Sequence, residues 1–548
     1  MRYSPVLALA FFLCTSPIIL AQHTSMHAPA SEKPATLMPG LGSHHHPVTT
    51  GNAEAQKFFD QGLTLVYAFN HEEAVRSFRR AAELDPQMAM AHWGIALALG
   101  PNINLDVDPQ REKAAYEAVQ KALSLVAKVS ERERAYIEAL AKRYSIAPGA
   151  DLKKLAVDYK NAMGELSKRY PDDLDAATLY AESAMNLKPW QLWTSDGKPA
   201  EGTEEIVAVL ESVLRRDPDH IGAIHYYIHA VEASRHPERA MVYAPKLTTA
   251  VPAAGHLVHM PAHIYMRTGD YAAAARSNKD AAEADENFFK SSGREGFYPL
   301  MYYNHNLHFL AVAYGMSGQY AEAIAASRKL EKNIAANLKA MPMLDGFAAT
   351  PMLMMVRFRK WDDIQKMPQP EAGLHGMIAV WRFARGMAHA AKGQIAEAEN
   401  ERKLFLESVK SVPAEAGYGL NSASSVLKIA EHVLSARIAV AQRNEKAAIE
   451  LLRKGVLMED ALAYDEPPGW FLPLRETLGG VLLKSGDAAE AEKVFRADLQ
   501  RNARNGRSLF GLMESLKAQG KNDAAQFVRR EFESAWKNAD TQLRVEDL

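Results

Sequence analysis

The sequence AQKFFDQGLTLVYAFNHEEAVRSFRRAAELDP occupies residues 55–86 and shows a spacing that recurs along the chain. Gly62 and Ala74 are small, so two helices can cross closely at these positions. Phe78 is placed to fill the gap beside the crossing, and Pro86 cannot continue the second helix. The stretch therefore predicts a pair of antiparallel helices that forms one unit of a repeat.

The same spacing of small and apolar residues begins again at Ile221, at Gly255 and at Asn304. The first two of these positions are 34 residues apart, which is the period of the tetratricopeptide repeat. Looser copies follow in residues 341–548, and no stretch alternates between apolar and polar residues for long enough to suggest a sheet. The pattern predicts an all-α fold, a tetratricopeptide-like α-solenoid of stacked antiparallel helix pairs.

The N-terminal segment is typical of a secretory signal. Arg2 gives a positive start, and Val6–Leu20 is mostly apolar but is short and is interrupted by Pro17. Cleavage after Ala21 would leave a secreted or periplasmic chain without a transmembrane span, and an uncleaved anchor is the alternative. The predicted organisation is, in order, a signal peptide (1–21), a His- and Met-rich extended segment (22–50), N-terminal helical repeats (51–220), central repeat units that carry the histidines (221–340) and C-terminal repeats (341–548).

The composition of the 548 residues narrows the chemistry. A net charge of -2 gives no basic face for nucleic acid. The only cysteine, Cys14, lies in the signal segment, so the mature chain would have no thiolate ligands and no disulfides. No glycine-rich phosphate loop or dinucleotide fingerprint is present, and we expect no nucleotide cofactor. A metal ion would therefore have to be bound by nitrogen and oxygen.

Residues 220–308 contain nine of the chain's 19 histidines, and most of them are spaced by three, four or seven residues. Such spacings place side chains on one face of a helix. In the repeat frame these positions lie on the inner, concave face, so three adjacent units would present one row of imidazoles. The predicted metal ligands are His225, His229, His256, His259, His263, His305 and His308.

Several imidazoles without sulfur are typical of an exposed metal site with open positions, and we expect copper or zinc first and iron third. Copper would indicate oxidative chemistry, and zinc would indicate hydrolysis by an activated water. Glu232 is the candidate catalytic residue, as a ligand, an orienting residue or a general base. The histidines expected to contact the ion directly are His225, His229, His259, His263 and His305.

The alternative is a groove that binds no metal. A single histidine usually contacts water, a partner peptide or a carboxylate, and the histidines would then be contact or pH-sensing residues. The protein would be a non-catalytic scaffold for a protein or peptide partner, whereas a metal site would take a small-molecule substrate in the same groove. Three or more imidazole nitrogens within roughly 4 Å of one point would favour the metal.

Three further features depend on the tertiary structure. The segment His44–His46 is predicted to fold into the groove and complete or cap the site, and a solvated leader is the alternative. The segment Lys188–Gly197 ends in a turn signal, and its two tryptophans either close the groove as a lid or pack within the loop. His220 and His236 flank a predicted helix, and we expect both at the surface.

Six further motifs are GLGSHHHPVTT (40–50), AFNHEEA (68–74), WGIALALGPNIN (93–104), HYYIHAVE (225–232), GHLVHMPAHIYMR (255–267) and NHNLHFL (304–310). They resemble the motifs of a family of large exported bacterial tetratricopeptide-repeat proteins, and the resemblance covers nearly all of the mature chain. This resemblance implies a secreted or periplasmic all-helical repeat protein, and the repeat implies that a peptide or helix binds in its groove. The metal hypothesis comes from the spacing of the histidines, since the family implies no particular reaction.

Overall fold

The packing around Phe78 shows how the repeat is built. The structure, a computed structural model, describes residues 35–293 and 296–548. A Cβ atom added to Gly62 or Gly94 would lie 2.6 or 2.5 Å from the Phe78 ring, so both helices approach this ring as closely as backbone allows. Phe495 is enclosed in the same way by two glycines near the C-terminus. The prediction that small residues permit a close crossing beside an aromatic plug is therefore confirmed.

The predicted helix pair in residues 55–86 corresponds to the first two helices of the N-terminal part. The side chain of Asn52 accepts hydrogen bonds from the backbone N–H groups of Glu54 and Ala55, which caps the first of them. The helices of this part are α1 (Ala53–Tyr67), α2 (His71–Leu84), α3 (Ala89–Leu99), α4 (Pro109–Leu123), α5 (Glu131–Ala141), α6 (Leu152–Arg169), α7 (Leu174–Met185) and α8 (Thr203–Arg216).

The central part carries the histidine-rich helices. Pro261 lacks a backbone N–H and divides this segment into two short helices, while Met260 between them keeps a right-handed helical backbone. The helices here are α9 (Ile221–Val231), α10 (Lys246–Ala250), α11 (Gly255–His259), α12 (Pro261–Thr268), α13 (Tyr271–Ser292), α14 (Phe297–Met316) and α15 (Tyr320–Ile334).

The C-terminal part continues the stack of helix pairs. In the part of the chain that the structure describes, strands occur only as a short antiparallel hairpin of β1 (Gly417–Tyr418) and β2 (Asn421–Ser422). The helices are α16 (Asp345–Ala348), α17 (Thr350–Arg357), α18 (Trp361–Lys366), α19 (His375–Ala391), α20 (Ile395–Lys410), α21 (Ala423–Ala441), α22 (Glu445–Asp460), α23 (Leu474–Lys484), α24 (Ala488–Arg501), α25 (Gly506–Ala518) and α26 (Asn522–Ala535).

The all-α, tetratricopeptide-like architecture of stacked helix pairs is confirmed. Helices that follow one another along the chain pack together, as in the pairs α1–α2, α19–α20 and α25–α26. The buried apolar side chains form three clusters that overlap in sequence, so one core continues into the next along the stack. Among the helices of residues 35–293 and 296–548, none has the length and apolar character that crossing a bilayer requires. The predicted signal peptide lies outside the described residues.

Candidate metal centre

The histidine row is buried. Six of the seven predicted ligands are less than a tenth exposed, and His305 is half-buried. The prediction of an exposed site is therefore wrong. The reason is that segments distant in the sequence cover the row. Phe69 follows α1, and its ring centroid lies 4.5 Å from that of His225. The ring centroid of Trp190 lies 5.3 Å from that of His229.

The buried imidazoles are divided between two groups. In each group, the ligand atoms of the three residues all lie within 4.8 Å of one another, which is close enough for one ion to contact all three. Helices α9 and α11 supply the first triad, and α11, α12 and α14 supply the second. The first triad is His225, His229 and His256. The second triad is His259, His263 and His305.

Hydrogen bonds fix the tautomers of His225 and His229 in the first triad, whereas Nδ1 of His256 is buried without a hydrogen-bond partner among the described residues. The Nδ1 atom of His225 lies 2.6 Å from the carbonyl oxygen of Tyr67, which can only accept, so Nδ1 carries the proton and Nε2 a lone pair. The Nδ1 atom of His229 likewise donates to Oε1 of Glu232 over 2.6 Å. Its Nε2 atom is buried and has no hydrogen-bond partner among the described residues. The Nε2 atoms of His225 and His256 lie 3.2 Å apart.

In the second triad, His259 and His263 are fixed in the same way. The Nδ1 atom of His259 donates to Oδ1 of Asn278 over 2.7 Å, because the amide nitrogen of Asn278 is itself turned toward the carbonyl oxygen of Ala274. The Nδ1 atom of His263 donates to Oε2 of Glu232 over 2.5 Å. The two Nε2 atoms face each other at 2.8 Å, and the half-buried His305 ring lies 4.9 Å from the His259 ring.

Glu232 joins the two triads. Its two carboxylate oxygens each accept a hydrogen bond from Nδ1 of a histidine, His229 on one side and His263 on the other. Burial by itself raises the pKa of Glu232, but the adjacent His263 and His229 outweigh burial and lower it, so the carboxylate is ionised. The Glu232 oxygens lie 2.5–2.6 Å from the two Nδ1 atoms, which are hydrogen-bond distances. Two atoms that bind the same ion are farther apart than this. Among the three roles predicted for Glu232, this geometry favours the orienting one.

Burial sets the charge of the imidazoles. It lowers the pKa of His225, His256, His259 and His305 well below the ordinary value, and neighbouring histidines lower it further. These residues are therefore neutral near pH 7, which is the form that ligates a metal. For His263 burial again lowers the pKa, but the Glu232 carboxylate reverses the shift and raises it.

His308 does not join either triad, although the sequence predicts it as a ligand. Its ring packs edge-on between Phe347 and Phe471, with ring centroids 5.3 and 5.5 Å away. Burial in this apolar setting lowers the pKa of His308 to about 4. It lies one turn beyond His305 on α14, and the helix turns its side chain toward the C-terminal part of the chain.

His44 and His46 contact Asp175 rather than the two triads. The distances from the Asp175 carboxylate are 3.1 Å to Nε2 of His44 and 2.8 Å to Nδ1 of His46, and Tyr67 donates its hydroxyl to the same group. The structure thus does not place these histidines in the site that they were predicted to complete. Residues 35–50 are held against the helices, whereas His23 and His27 lie outside the described residues.

His44, His46 and His220 all lie next to the Asp175 carboxylate and together form the Asp175 hub. His220 is buried, so its predicted surface position is wrong. Its Nδ1 atom accepts the backbone N–H of Ala223 and caps α9, which leaves the proton on Nε2, 3.3 Å from Asp175. Asp175, His44 and His220 have the spacing of a metal site as well. The Asp175 hub differs from the triads in two ways. The Asp175 carboxylate already accepts hydrogen bonds from several donors, and Nε2 of His220 carries a proton instead of a lone pair that could bind an ion.

A pocket of about 330 Å³, counted with its open mouth, borders His229 and Glu232. Trp190 and Trp193 form part of its wall, and Nε1 of Trp193 donates to the carbonyl oxygen of Ala230 over 2.7 Å. The tryptophan segment therefore packs against the site rather than remaining within its own loop. Tyr464 closes another side, and its hydroxyl lies 3.3 Å from Oε2 of Glu232.

Apart from Glu232, the residues that orient the histidines are not marked by any pattern in the sequence. Tyr67 lies 158 positions from His225 along the chain, and Tyr464 lies 232 positions from Glu232. Asn278 is one of many polar residues on α13, and nothing in its spacing marks it. Only the folded chain brings these groups to the imidazoles.

No family model matches the chain, and a search of curated proteins finds no match. Solved structures give distant matches. Human IFIT1, in a dimer with m7Gppp-AAAA, is 14% identical over 90% of this chain and 92% of its own, with a TM-score of 0.32. Yeast Tom70 is 12% identical over 88% and 90%, with a TM-score of 0.30. The P58(IPK) TPR domain is 12% identical over 86% and 99%, with a TM-score of 0.21. Similarity at this level carries no inference about function.

The fold and the site together define a class: an all-α, tetratricopeptide-like repeat protein with a buried polyhistidine cluster.

Proposed function

We propose that this protein is an exported metalloprotein whose histidine cluster binds copper or zinc, with iron as the third choice. The observation that carries the proposal is the pair of Nε2 atoms on His259 and His263, which face each other at 2.8 Å. In neutral rings with this tautomer both atoms carry lone pairs, which repel unless a cation lies between or beside them. Two nitrogens that are each about 2.0–2.1 Å from one ion lie about 2.8–3.4 Å apart at angles of about 90–109°.

The hydrogen bonds behind the imidazoles support the same proposal. Histidine ligands of metals usually donate their second N–H to a carboxylate or a carbonyl, which fixes the ring and its tautomer. His225, His229 and His263 do so here, to Tyr67 and to Glu232. An all-nitrogen set of this kind suits copper and zinc, and copper binds more tightly than zinc to a given set of ligands.

A metal-free network accounts for less of the geometry. If His263 were protonated, it would donate to Glu232 and to His259, and the second triad would be satisfied by a proton. The first triad would still leave Nε2 of His229 buried without a partner, which costs about 1–3 kcal/mol. The orphaned nitrogen of His229 therefore favours a metal ion over a proton.

A scaffold that binds a partner protein is the other function considered for this fold. A stack of helix pairs is well suited to that role in general. The histidines themselves are covered by Phe69 and Trp190, so they do not form a surface that a peptide would contact. A peptide partner would have to bind elsewhere on the stack.

Metal analysis of the purified protein tests the proposal. Residues 22–548 would be produced with an affinity tag that contains no histidine, loaded with Cu²⁺ or Zn²⁺, freed of loose metal and analysed by mass spectrometry of the elements. We expect bound metal in the natural sequence and a loss of it in a variant that combines His229→Ala and His263→Ala. His308→Ala is the matched control, because His308 is a buried histidine of the same region outside both triads. Equal metal content in all three proteins would refute the proposal.

Export requires a separate test, since it depends on residues 1–21. We expect a fusion of these residues to a reporter that is active only outside the cytoplasm to be active and processed. A fusion that begins at residue 22 is the control. A reporter that stays inactive with the segment attached would contradict export and leave the metal proposal untouched.

A further inference from the structure

We infer that the cluster binds two metal ions, one in each triad, and that Glu232 links the two positions. The inference rests on the proposed metal binding and extends it from a single shared ion to a two-ion centre. Each ion would be held by three imidazole nitrogens: those of His225, His229 and His256 for the first, and those of His259, His263 and His305 for the second.

The distances between the nitrogens separate the two positions. Even the most distant ligands of a single six-coordinate ion, on opposite sides of it, are only about 4.2 Å apart when each bond is about 2.1 Å. Six nitrogens around one ion would therefore all fall within 4.8 Å of one another. Among the described residues no such set of six occurs: the all-histidine sets are the two triads, and a further set, His229, Glu232 and His263, spans them through the Glu232 carboxylate. One central ion does not explain both triads.

The two positions are neighbours. The ring centroids of His229 and His263 are 5.3 Å apart, and those of His256 and His259 are 5.7 Å apart, so the triads share a boundary of contacting imidazoles. His256 and His259 follow each other on α11 at a spacing of three residues and are divided between the triads. The short helix thus serves both positions with one residue each.

Glu232 occupies the boundary between the triads. Each of its oxygens accepts the Nδ1 proton of one histidine from each triad, so a single carboxylate orients ligands of both ions. A negative charge at this place also offsets part of the positive charge that two dications would bring into a buried site. The arrangement accounts for a buried carboxylate whose oxygens are both directed at imidazoles rather than at solvent.

Three histidines leave an open position on an ion that prefers four ligands. The pocket beside His229 and Glu232 lies next to the first triad and is walled by Trp190 and Trp193. The half-buried His305 is the exposed member of the second triad. The ligand class that suits such a pair of positions is a small oxygen ligand, such as water or hydroxide, which two adjacent ions can share.

Counting the ions tests the inference. The probe is Zn²⁺, titrated into metal-free protein and followed by calorimetry and by elemental analysis after desalting. We expect two ions in the natural sequence, one in His225→Ala and one in His305→Ala. The combined variant is the reference: any metal that it holds outside the triads, at His44–His46 or in the N-terminal segment, is subtracted from the other counts. Neither substituted histidine contacts Glu232, so each variant keeps the link intact.

The outcomes separate the two claims. One ion in the natural sequence that is lost in both single variants would overturn the two-ion centre and keep the proposed function. Metal in none of the proteins would overturn both. If circular dichroism shows that His225→Ala does not fold, the number of ions in the natural sequence and in the His305→Ala variant still decides between one ion and two. Loading with Cu²⁺ gives an independent test, because two neighbouring Cu²⁺ ions couple magnetically. We expect the electron paramagnetic resonance signal to account for less copper than elemental analysis finds. A full signal at two ions per chain would contradict neighbouring positions.

Discussion

The Nε2 atoms of His259 and His263 lie 2.8 Å apart, and each ring gives its Nδ1 proton to a fixed acceptor, Asn278 or Glu232. Both facing atoms thus carry lone pairs in the neutral rings. Since burial lowers the pKa of His259 well below its ordinary value, this ring does not supply a proton near pH 7. Either a metal ion or a proton on His263, whose pKa burial lowers but Glu232 raises above its ordinary value, satisfies the pair, and the predictions below separate the two.

Metal removal should destabilise the folded protein. An ion that binds only the folded state adds about 4 kcal/mol when its free concentration is about 1,000 times its dissociation constant. We expect a strong chelator to lower the thermal unfolding temperature of metal-loaded protein. The combined His225→Ala and His305→Ala variant should show no change with chelator. Unfolding that is insensitive to chelator in the natural sequence would contradict this coupling.

Glu232→Gln should weaken metal binding by about 10–100-fold, the range found when the group behind a ligating histidine is removed. A glutamine side chain has one acceptor and one donor, so it cannot accept from both His229 and His263. Calorimetric titration with Zn²⁺ measures the change. Glu182→Gln is the control, because Glu182 is also a buried carboxylate but lies outside the cluster. Equal weakening in both variants would indicate a general loss of stability.

Gly255→Ala should disturb the start of α11. An added Cβ would lie 2.1 Å from Oδ1 of Asp285, whose carboxylate is held by the Tyr298 hydroxyl at 3.0 Å and the Asn306 amide at 2.9 Å. The same hydroxyl accepts the backbone N–H of His256, so the clash reaches the first triad.

We expect this substitution to cost about 1–3 kcal/mol of stability, as overpacking of a core does. It should also reduce the ion count at the first triad, which Zn²⁺ titration measures. Gly51→Ala is the control, because an added Cβ there meets no atom within 4 Å. If Gly255→Ala is as stable as the natural sequence, Asp285 can move away from the added Cβ and the prediction is wrong.

Acid should destabilise the metal-free protein partly through His308. Burial lowers the folded-state pKa of His308 to about 4 from an ordinary value of 6.5. As the pH falls below 6.5, the unfolded chain takes up a proton that the folded chain does not, so stability is lost between these two values and is unaffected above them. At pH 5 the loss is about 2 kcal/mol.

Urea unfolding at pH 7 and at pH 5, with chelator present, measures this contribution. We expect His308→Leu to lose about 2 kcal/mol less than the natural sequence over that interval. His236→Leu is the control, because the His236 side chain is 71% exposed. The same pH dependence in His308→Leu and in the natural sequence would place the titrating group elsewhere.

The histidines near the N-terminus should stabilise the fold without holding the proposed ions. His44 and His46 both contact the buried Asp175 carboxylate, and a hydrogen bond to a charged group contributes about 1.5–3 kcal/mol. We expect the combined His44→Ala and His46→Ala variant to unfold at lower temperature but to keep its high-affinity Zn²⁺ count. His45→Ala, whose side chain is 58% exposed, should change little. A lower count in the combined variant would return these residues to the metal centre.

Local spacing was enough for the fold and for most of the histidine row. The small residues and Phe78 in residues 55–86 predicted a helix pair that the structure contains, and intervals of three and four residues placed His225 with His229 and His259 with His263 on shared faces. These are properties of a helix, whose periodicity is the same wherever it packs. The same rule also placed His308 in the row, because periodicity alone does not tell which neighbour a helix turn will meet.

The sequence by itself thus determined an all-α stack of helix pairs and the presence of aligned imidazoles, because helix period and close packing are local. Only the tertiary structure decided that the row is buried, that it divides into two triads, and that Glu232, Tyr67 and Asn278 set the tautomers. Those outcomes depend on contacts such as His225 with Tyr67, 158 residues apart, and no local pattern encodes a contact of that range. The physical reason is that a hydrogen bond at one nitrogen of a ring decides that the other nitrogen carries the lone pair, and for His225 and His259 the acceptor comes from another part of the chain.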